Sequence, residues 1–326
     1  MKHPLLLLFV AFALGFSGCS KNREVTVLKM AHGLDVTHPV HIAMEYMAKR
    51  VAEKSDSTMR IDLYPSSQLG TERELVELLQ IGSLAVTKVS TSVMEGFSSS
   101  YSVFSLPYVF RDDSHRFRVL EGDIGTEILM STQQKYLRGL CYYDAGSRSF
   151  YTKSKPILAP SDLGGLKIRT QESMTSVKMV NVLGGSATPI AWGELYTALQ
   201  QGVVDGAENN PPSFHLSRHY EVARFYVLDE HTSVPDVVLI STVVWNDLTE
   251  DQQRILQEAA DESAEFQKGL WQEATKHAIE EVQKAGVQVM IPNKKPFFDK
   301  VQPLYEEYRK TRPDVHQLLL RIQSVQ

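Results

Sequence analysis

The chain has 326 residues, 43% of them hydrophobic, with a formal net charge of −5 and no block of Lys or Arg. That length supports two lobes or one large domain. A mildly acidic chain without a basic cluster is a poor partner for nucleic acid, which excludes that class of function.

Lys2 precedes an apolar run from Leu5 to Phe16, which ends in Ser17, Gly18 and Cys19. The run is too short to cross a bilayer core of ~30 Å, and a charged start, a short apolar stretch and small residues form the export pattern, so residues 1–18 read as a signal peptide. The small-small-Cys ending resembles a bacterial lipobox, although Phe16 stands where leucine is preferred. It implies cleavage before Cys19, lipidation of that cysteine, and a tether over residues 19–23. The expected location is the periplasm or the cell surface, with the membrane reached through the lipid alone. Removing residues 1–18 takes the charge to −6, and once Cys19 is acylated only Cys141 remains as a thiol, so no internal disulfide can form.

Strand-like and helical runs then alternate. Val25 to Ala31 reads as a strand, Val40 to Glu53 as a helix, Arg60 to Tyr64 as a strand, Glu72 to Gln80 as a helix and Ala85 to Val89 as a strand. This β-α-β-α-β order implies a parallel sheet with crossover helices. The rhythm restarts after Gly146, with strands at Ser149 to Thr152, Leu166 to Thr170 and Val203 to Ala207, and helices at Thr175 to Leu183 and Gly193 to Gln201. Glu74 to Gly82 and Glu194 to Gly202 share a Glu-Leu-three residues-Leu-Gln-x-Gly spacing, an internal repeat offset by 120 residues. The offset pairs Glu72 with Trp192 at two helix starts and Ser90 with Asn210 at two strand ends. Ligands of open α/β sheets bind at such places.

Thr249 and Gln252 make a capping-box pattern, and apolar residues recur from Ile255 to Val282 at three- and four-residue steps. One long helix of about 50 Å is expected, at ~1.5 Å per residue, with two helices broken near Gly269 as the alternative.

Tyr64-Pro65-Ser66-Ser67-Gln68-Leu69-Gly70, Leu106-Pro107-Tyr108, Asp162-Leu163-Gly164-Gly165-Leu166-Lys167-Ile168-Arg169 and Asp205-Gly206-Ala207-Glu208-Asn209 resemble, in order and spacing, the DctP-like solute-binding subunit of tripartite ATP-independent periplasmic (TRAP) transporters. The resemblance covers essentially the whole mature chain. It implies an α/β, two-lobed periplasmic-binding-protein fold, each lobe a mixed or parallel sheet flanked by helices, with a long helix bridging the lobes. The implied division is residues 24–145 with 234–273 as lobe I and 146–233 with 274–326 as lobe II. It further implies a non-enzymatic monomer without cofactor that captures a small organic acid and delivers it to the TRAP membrane permease.

Alternation puts Lys167 and Arg169 on one strand face, which from sequence alone is equally a solvated face. The resemblance implies that Arg169 pairs with the substrate carboxylate, a role its planar two-bond fork suits better than a lysine. It likewise makes Arg148 a second cleft arginine, Asn209 an amide that touches ligand and Trp192 a cleft aromatic. From the residues alone these read as a surface arginine, a turn residue and a core tryptophan. Glu72, Asn210, His32, His38 and Ser92 are the expected hydroxyl-binding groups, Glu72 because a carboxylate only accepts hydrogen bonds. Trp192 and the Glu208-to-Pro211 segment look most like members that take sugar acids. The expected ligand is therefore a hexuronate such as glucuronate or galacturonate, followed by sialic acid and then a C4-dicarboxylate.

Competing classes have less behind them. His32, His38 and His41 lack a carboxylate or Cys cluster at metal-ligand spacing. A secreted hydrolase would need a Gly-x-Ser-x-Gly elbow or a His-Glu-x-x-His helix, and the chain has neither. A sensor presenting bound ligand to a membrane receptor would use the same fold, and the sequence does not separate it from a transport component.

Overall fold

The structure, a computed structural model, describes residues 25–326. The signal peptide, the Cys19 lipidation site and the whole tether expected from the sequence lie outside the described residues.

Eleven strands among the described residues make two sheets. The first is built from β1 (Thr26–Ala31), β2 (Met59–Tyr64), β3 (Val86–Ser90), β4 (Leu137–Tyr143) and β10 (Asp236–Ser241), in the order β2-β1-β3-β10-β4. The second is built from β5 (Arg148–Thr152), β6 (Lys167–Thr170), β7 (Ser186–Pro189), β8 (Gly206–Asn209), β9 (Phe225–Thr232) and β11 (Gln288–Met290), in the order β11-β9-β5-β8-β6-β7. In each sheet the sequence-local β-α-β strands are parallel, and one further strand runs antiparallel beside them: β10, returning from late in the chain, against β3, and β5, the first strand after the crossing, against β8. Helices cover both faces, so β3 and β10 are buried at every position and show no apolar/polar alternation.

The chain passes from the first sheet to the second between Tyr143 and Arg148 and returns between Thr232 and Asp236. Ser147 and Ser233 meet at 3.1 Å between their hydroxyls, tying the two crossings together. A third crossing is the helix Glu250–Lys284, unbroken at Gly269 and started by the Thr249/Gln252 capping box. It packs on Pro39–Lys54 of the first lobe and Pro211–Leu216 of the second. Its Gln267 clamps the hinge, accepting from the Asp144 amide and donating to the Asp144 carbonyl, both at 2.8 Å.

Three expectations change. The strand expected at Val203 begins at Gly206, because Gly202 takes a left-handed φ of 74° and the Val203 amide folds back to the Ala198 carbonyl at 2.9 Å. The helix expected from Gly193 is a 3-10 turn over Trp192–Glu194 followed by α-helix over Leu195–Gln200. The last helix, Pro313–Ser324, packs on Ser99–Ser105 and Asp123–Met130 of the first lobe, so residues 274–326 do not all sit on the second. Its Val315, Leu318, Leu319 and Ile322 supply the apolar face that takes it there.

Candidate functional site

A cavity of about 660 Å³, counted with the open solvent at its mouth, lies between the sheets, at the carboxyl ends of the parallel strands. Local capping chemistry sets its walls. The Ser90 hydroxyl ends β3 and accepts from the Ser92 amide at 3.4 Å; Asn210 follows β8, and its Oδ1 accepts from the Ser213 amide at 2.9 Å. His38 caps Pro39–Lys54 by accepting from the Val40 amide through Nδ1 at 3.2 Å, so its Nε2 carries the ring proton and reaches Ser213 of the facing lobe at 3.4 Å. Burial and nearby Lys88 lower the His38 pKa to about 3, which keeps the ring neutral. Glu72 opens its helix, and Trp192 opens the 3-10 turn 120 residues later. Glu72, Ser90, Trp192 and Asn210, the two pairs that the repeat aligns, all line the cavity.

Arg169, at the end of β6, lines the same cavity and is only 3% exposed. Its Nε donates to the Ile190 carbonyl at 2.9 Å, and its Nη1 is buried without a hydrogen-bond partner. No carboxylate among the described residues forms an ion pair with it. Burial pulls its pKa below the usual arginine value, although the group stays charged. The guanidinium carbon lies 5.9 Å from the centroid of the Trp192 ring. A buried cation with an unsatisfied donor, facing a cavity, is costly unless an anion arrives.

Arg148 lines the same cavity, as expected of a cleft arginine. Four of its five N–H groups are engaged within the protein: Nε meets Glu208 Oε2 at 2.5 Å, Nη2 meets Glu208 Oε1 at 2.9 Å and the Glu208 carbonyl at 2.8 Å, and Nη1 meets Asn209 Oδ1 at 2.8 Å. Its bidentate edge is therefore closed by Glu208, and one Nη1 proton remains. Asn209 Oδ1 also accepts from the Asn210 amide at 2.9 Å, so the Asn209 amino group is what remains for the cavity. Behind the pair, burial disfavours a charge on His231, but Asp229 at 2.8 Å and Glu208 at 3.6 Å outweigh it and raise its pKa to about 9. Burial would raise the Glu208 pKa; Arg148 and His231 overcome it and hold the carboxyl near 2.

On the first-lobe wall, Lys88 Nζ sits 3.2 Å from Glu72 Oε1 and 3.0 Å from Asp236 Oδ2. Glu72 therefore has an internal cation, and also accepts from the Ser90 amide at 3.3 Å. Lys88 and Asp236 went unmarked in the sequence reading, yet each is a lone charge set against an apolar β run, which is itself a signal. Trp271 of the bridging helix is the third addition, 5.8 Å from the His38 ring. Its indole nitrogen would lie 2.8 Å from a Cβ on Gly146, whose φ is 57°; only glycine suits that hinge position.

Two expected residues are not at the cavity. His32 is fully buried, accepting from the Leu34 amide at 3.1 Å and meeting His41 at 3.0 Å, and His41 in turn meets Glu45 at 3.2 Å. Ser92 points into the core at 3.1 Å from the Ser105 hydroxyl. Among the described residues, no cluster of His, Cys, Asp or Glu is placed to hold a metal ion.

Residues 30–311 match the family model described as bacterial extracellular solute-binding protein, family 7. A TRAP periplasmic solute-binding protein from Anaerococcus prevotii, solved with bound α/β-D-glucuronate, superposes with a TM-score of 0.90 at 36% identity, covering 92% of this chain and 98% of the other. One from Xanthobacter autotrophicus, with bound β-D-galacturonate, gives 0.88 at 37% identity, covering 92% and 100%. An uncharacterised protein from Salmonella typhimurium is 38% identical over 99% of each chain. The fold, the inter-lobe cavity and these similarities agree: the chain belongs to bacterial extracellular solute-binding protein family 7, the non-enzymatic substrate-binding subunits of TRAP transporters.

Proposed function

We propose that this protein captures a hexuronate, glucuronate or galacturonate, outside the cytoplasmic membrane and hands it to a TRAP permease. One observation carries the reading: Arg169 is a buried cation with an unpaired donor in the inter-lobe cavity. The ligand carboxylate takes the free edge of Arg169, with the Asn209 amino group beside it. Trp192 offers a flat face to the apolar side of a sugar ring. Asn210, His38 and Glu72 supply polar groups around the hydroxyls, while Arg148 acts by holding Asn209. The uronates bound in the Anaerococcus and Xanthobacter structures support this ligand class.

Capture works by closure. Residues 24–145 with 234–273, and 146–233 with most of 274–326, move as two lobes about the crossings near Gly146 and Val234. A ligand touching both walls favours the closed state by its differential affinity. The lipid-anchored monomer is the finer part of the proposal and rests on Ser17-Gly18-Cys19 after the apolar run. Labelling with a palmitate analogue tests it: loss of label and release from the membrane in Cys19→Ser are expected, and an unlabelled wild type contradicts it.

A thermal-shift screen of organic acids tests the ligand class. Tight binding raises stability by RT ln(1 + [L]/Kd), ~4 kcal/mol at a thousandfold excess over Kd. Uronates should give the largest shift; a shift with succinate or sialic acid alone overturns the assignment. Small-angle scattering should show a smaller radius of gyration with uronate bound.

A further inference from the structure

We propose that Glu72, Lys88 and Asp236 form a hydroxyl-reading wall that admits sugar monoacids and rejects the corresponding diacids, which carry a second carboxylate at the far end of the carbon chain. This deepens, and rests on, the sugar-acid reading above. Arg169, on β6, belongs to the second-lobe wall; the three residues belong to the first, Lys88 on β3, Asp236 on β10 and Glu72 at a helix start. The cavity thus has one wall with an unpartnered cation and another wall where the cation is already matched.

The match is close. Lys88 is 2% exposed, and its ammonium contacts one carboxylate at 3.2 Å and another at 3.0 Å. With both carboxyls ionised the triplet carries a net negative charge; with one protonated it is neutral. It is positive only with both protonated. Burial and Glu72 push the Asp236 pKa up against the pull of Lys88, as expected for two carboxylates sharing one ammonium.

Carboxylates accept hydrogen bonds and donate none when ionised. A sugar hydroxyl arriving here donates to Glu72 or Asp236 and accepts the remaining Lys88 proton. A second ligand carboxylate finds that same single proton with two like charges beside it, in a space where water screens little. Like-charge juxtaposition of this kind is how a site discriminates against a wrong partner while keeping the right one.

Calorimetric titration of the mature chain with two monoacid and diacid pairs decides it: glucuronate against glucarate, and erythronate against tartrate. Wild type should favour the monoacid by ~100-fold or more. Asp236→Asn and Glu72→Gln each remove one negative charge while leaving Lys88 paired with the other carboxylate. Each should shrink that ratio by about tenfold, mainly through tighter diacid binding. A wild-type ratio near one, or a ratio unchanged in both variants with native circular dichroism, overturns the inference and leaves the sugar-acid reading standing. A large ratio in the four-carbon pair without glucuronate binding overturns the uronate assignment and leaves the wall standing. Binding of neither pair overturns both.

Discussion

The two lobes set the same backbone frame to different electrostatic use. Strand order β2-β1-β3-β10-β4 in the first sheet is repeated as β7-β6-β8-β5-β9 in the second, and in both an incoming antiparallel strand flanks the last parallel one. On that shared frame Lys88 of β3 pairs with Asp236 of β10, while Glu208 of β8, 120 residues after Lys88, pairs with Arg148 of β5. The floor of each lobe carries a cross-strand ion pair with the signs exchanged. Register then isolates the difference: Ala31 lies opposite Thr87 and Arg169 opposite Ala207, so the second lobe holds an arginine where the first holds an alanine. The paired charges build the walls, and on the proposed function that one added side chain is what makes the cavity an anion site.

The largest test of this comparison breaks the two floors in turn. Glu208→Gln removes the carboxylate paired with Arg148 and leaves His231 with Asp229 alone, all deeply buried, and should destabilise the ligand-free protein by ~3–5 kcal/mol. Asp236→Asn should cost less, about 1–2 kcal/mol, since Lys88 keeps Glu72. Urea unfolding of the two variants measures the difference, and equal losses would show that the floors are not built as described.

Alkali, more than acid, should separate the lobes next. His231 in the second lobe is raised to about 9, against ~6.5 in an unfolded chain. Its contribution is complete below that unfolded value and is lost as pH rises through about 9. His32 and His38 in the first lobe are lowered to about 2 and about 3, chiefly by burial, as is His219 in the second, to about 3. An unfolded chain gains their protons first, so they cost stability as pH falls below ~6.5. The urea midpoint should therefore peak near neutrality, and His231→Gln should flatten the alkaline limb only. The smallest expected effect is Lys167→Ala, which should leave ligand affinity within about twofold because Lys167 is exposed at the far end of β6 from the cavity.

What the sequence carried, and what it did not, follows from the range of the interactions. The helix-Gly-strand repeat is local, and its register brought Glu72, Ser90, Trp192 and Asn210 to the cavity. Ser92 and His32 turn away from the cavity, and Arg148 reaches it with its bidentate edge already closed, because their partners, Ser105, His41 and Glu208, are fixed by tertiary packing rather than by spacing along the strand or loop. Alternation put Lys167 and Arg169 on one face, yet one is solvated and the other buried, since β6 enters the cleft only at its end. Lys88 was hidden by its apolar neighbours, although a lysine inside a buried strand demands partners.

Calorimetric titration of a uronate into wild type, Arg169→Lys and Arg169→Ala tests the central claim, that the unpaired Arg169 is what holds the anion. Removing a desolvated bidentate partner should cost ~2–5 kcal/mol, roughly 30- to 5,000-fold in Kd, with Lys recovering only part because it restores charge without the planar fork. The predicted order of affinity is wild type, Lys, Ala. Near-native affinity in Arg169→Ala, with the fold intact by circular dichroism, would contradict the account.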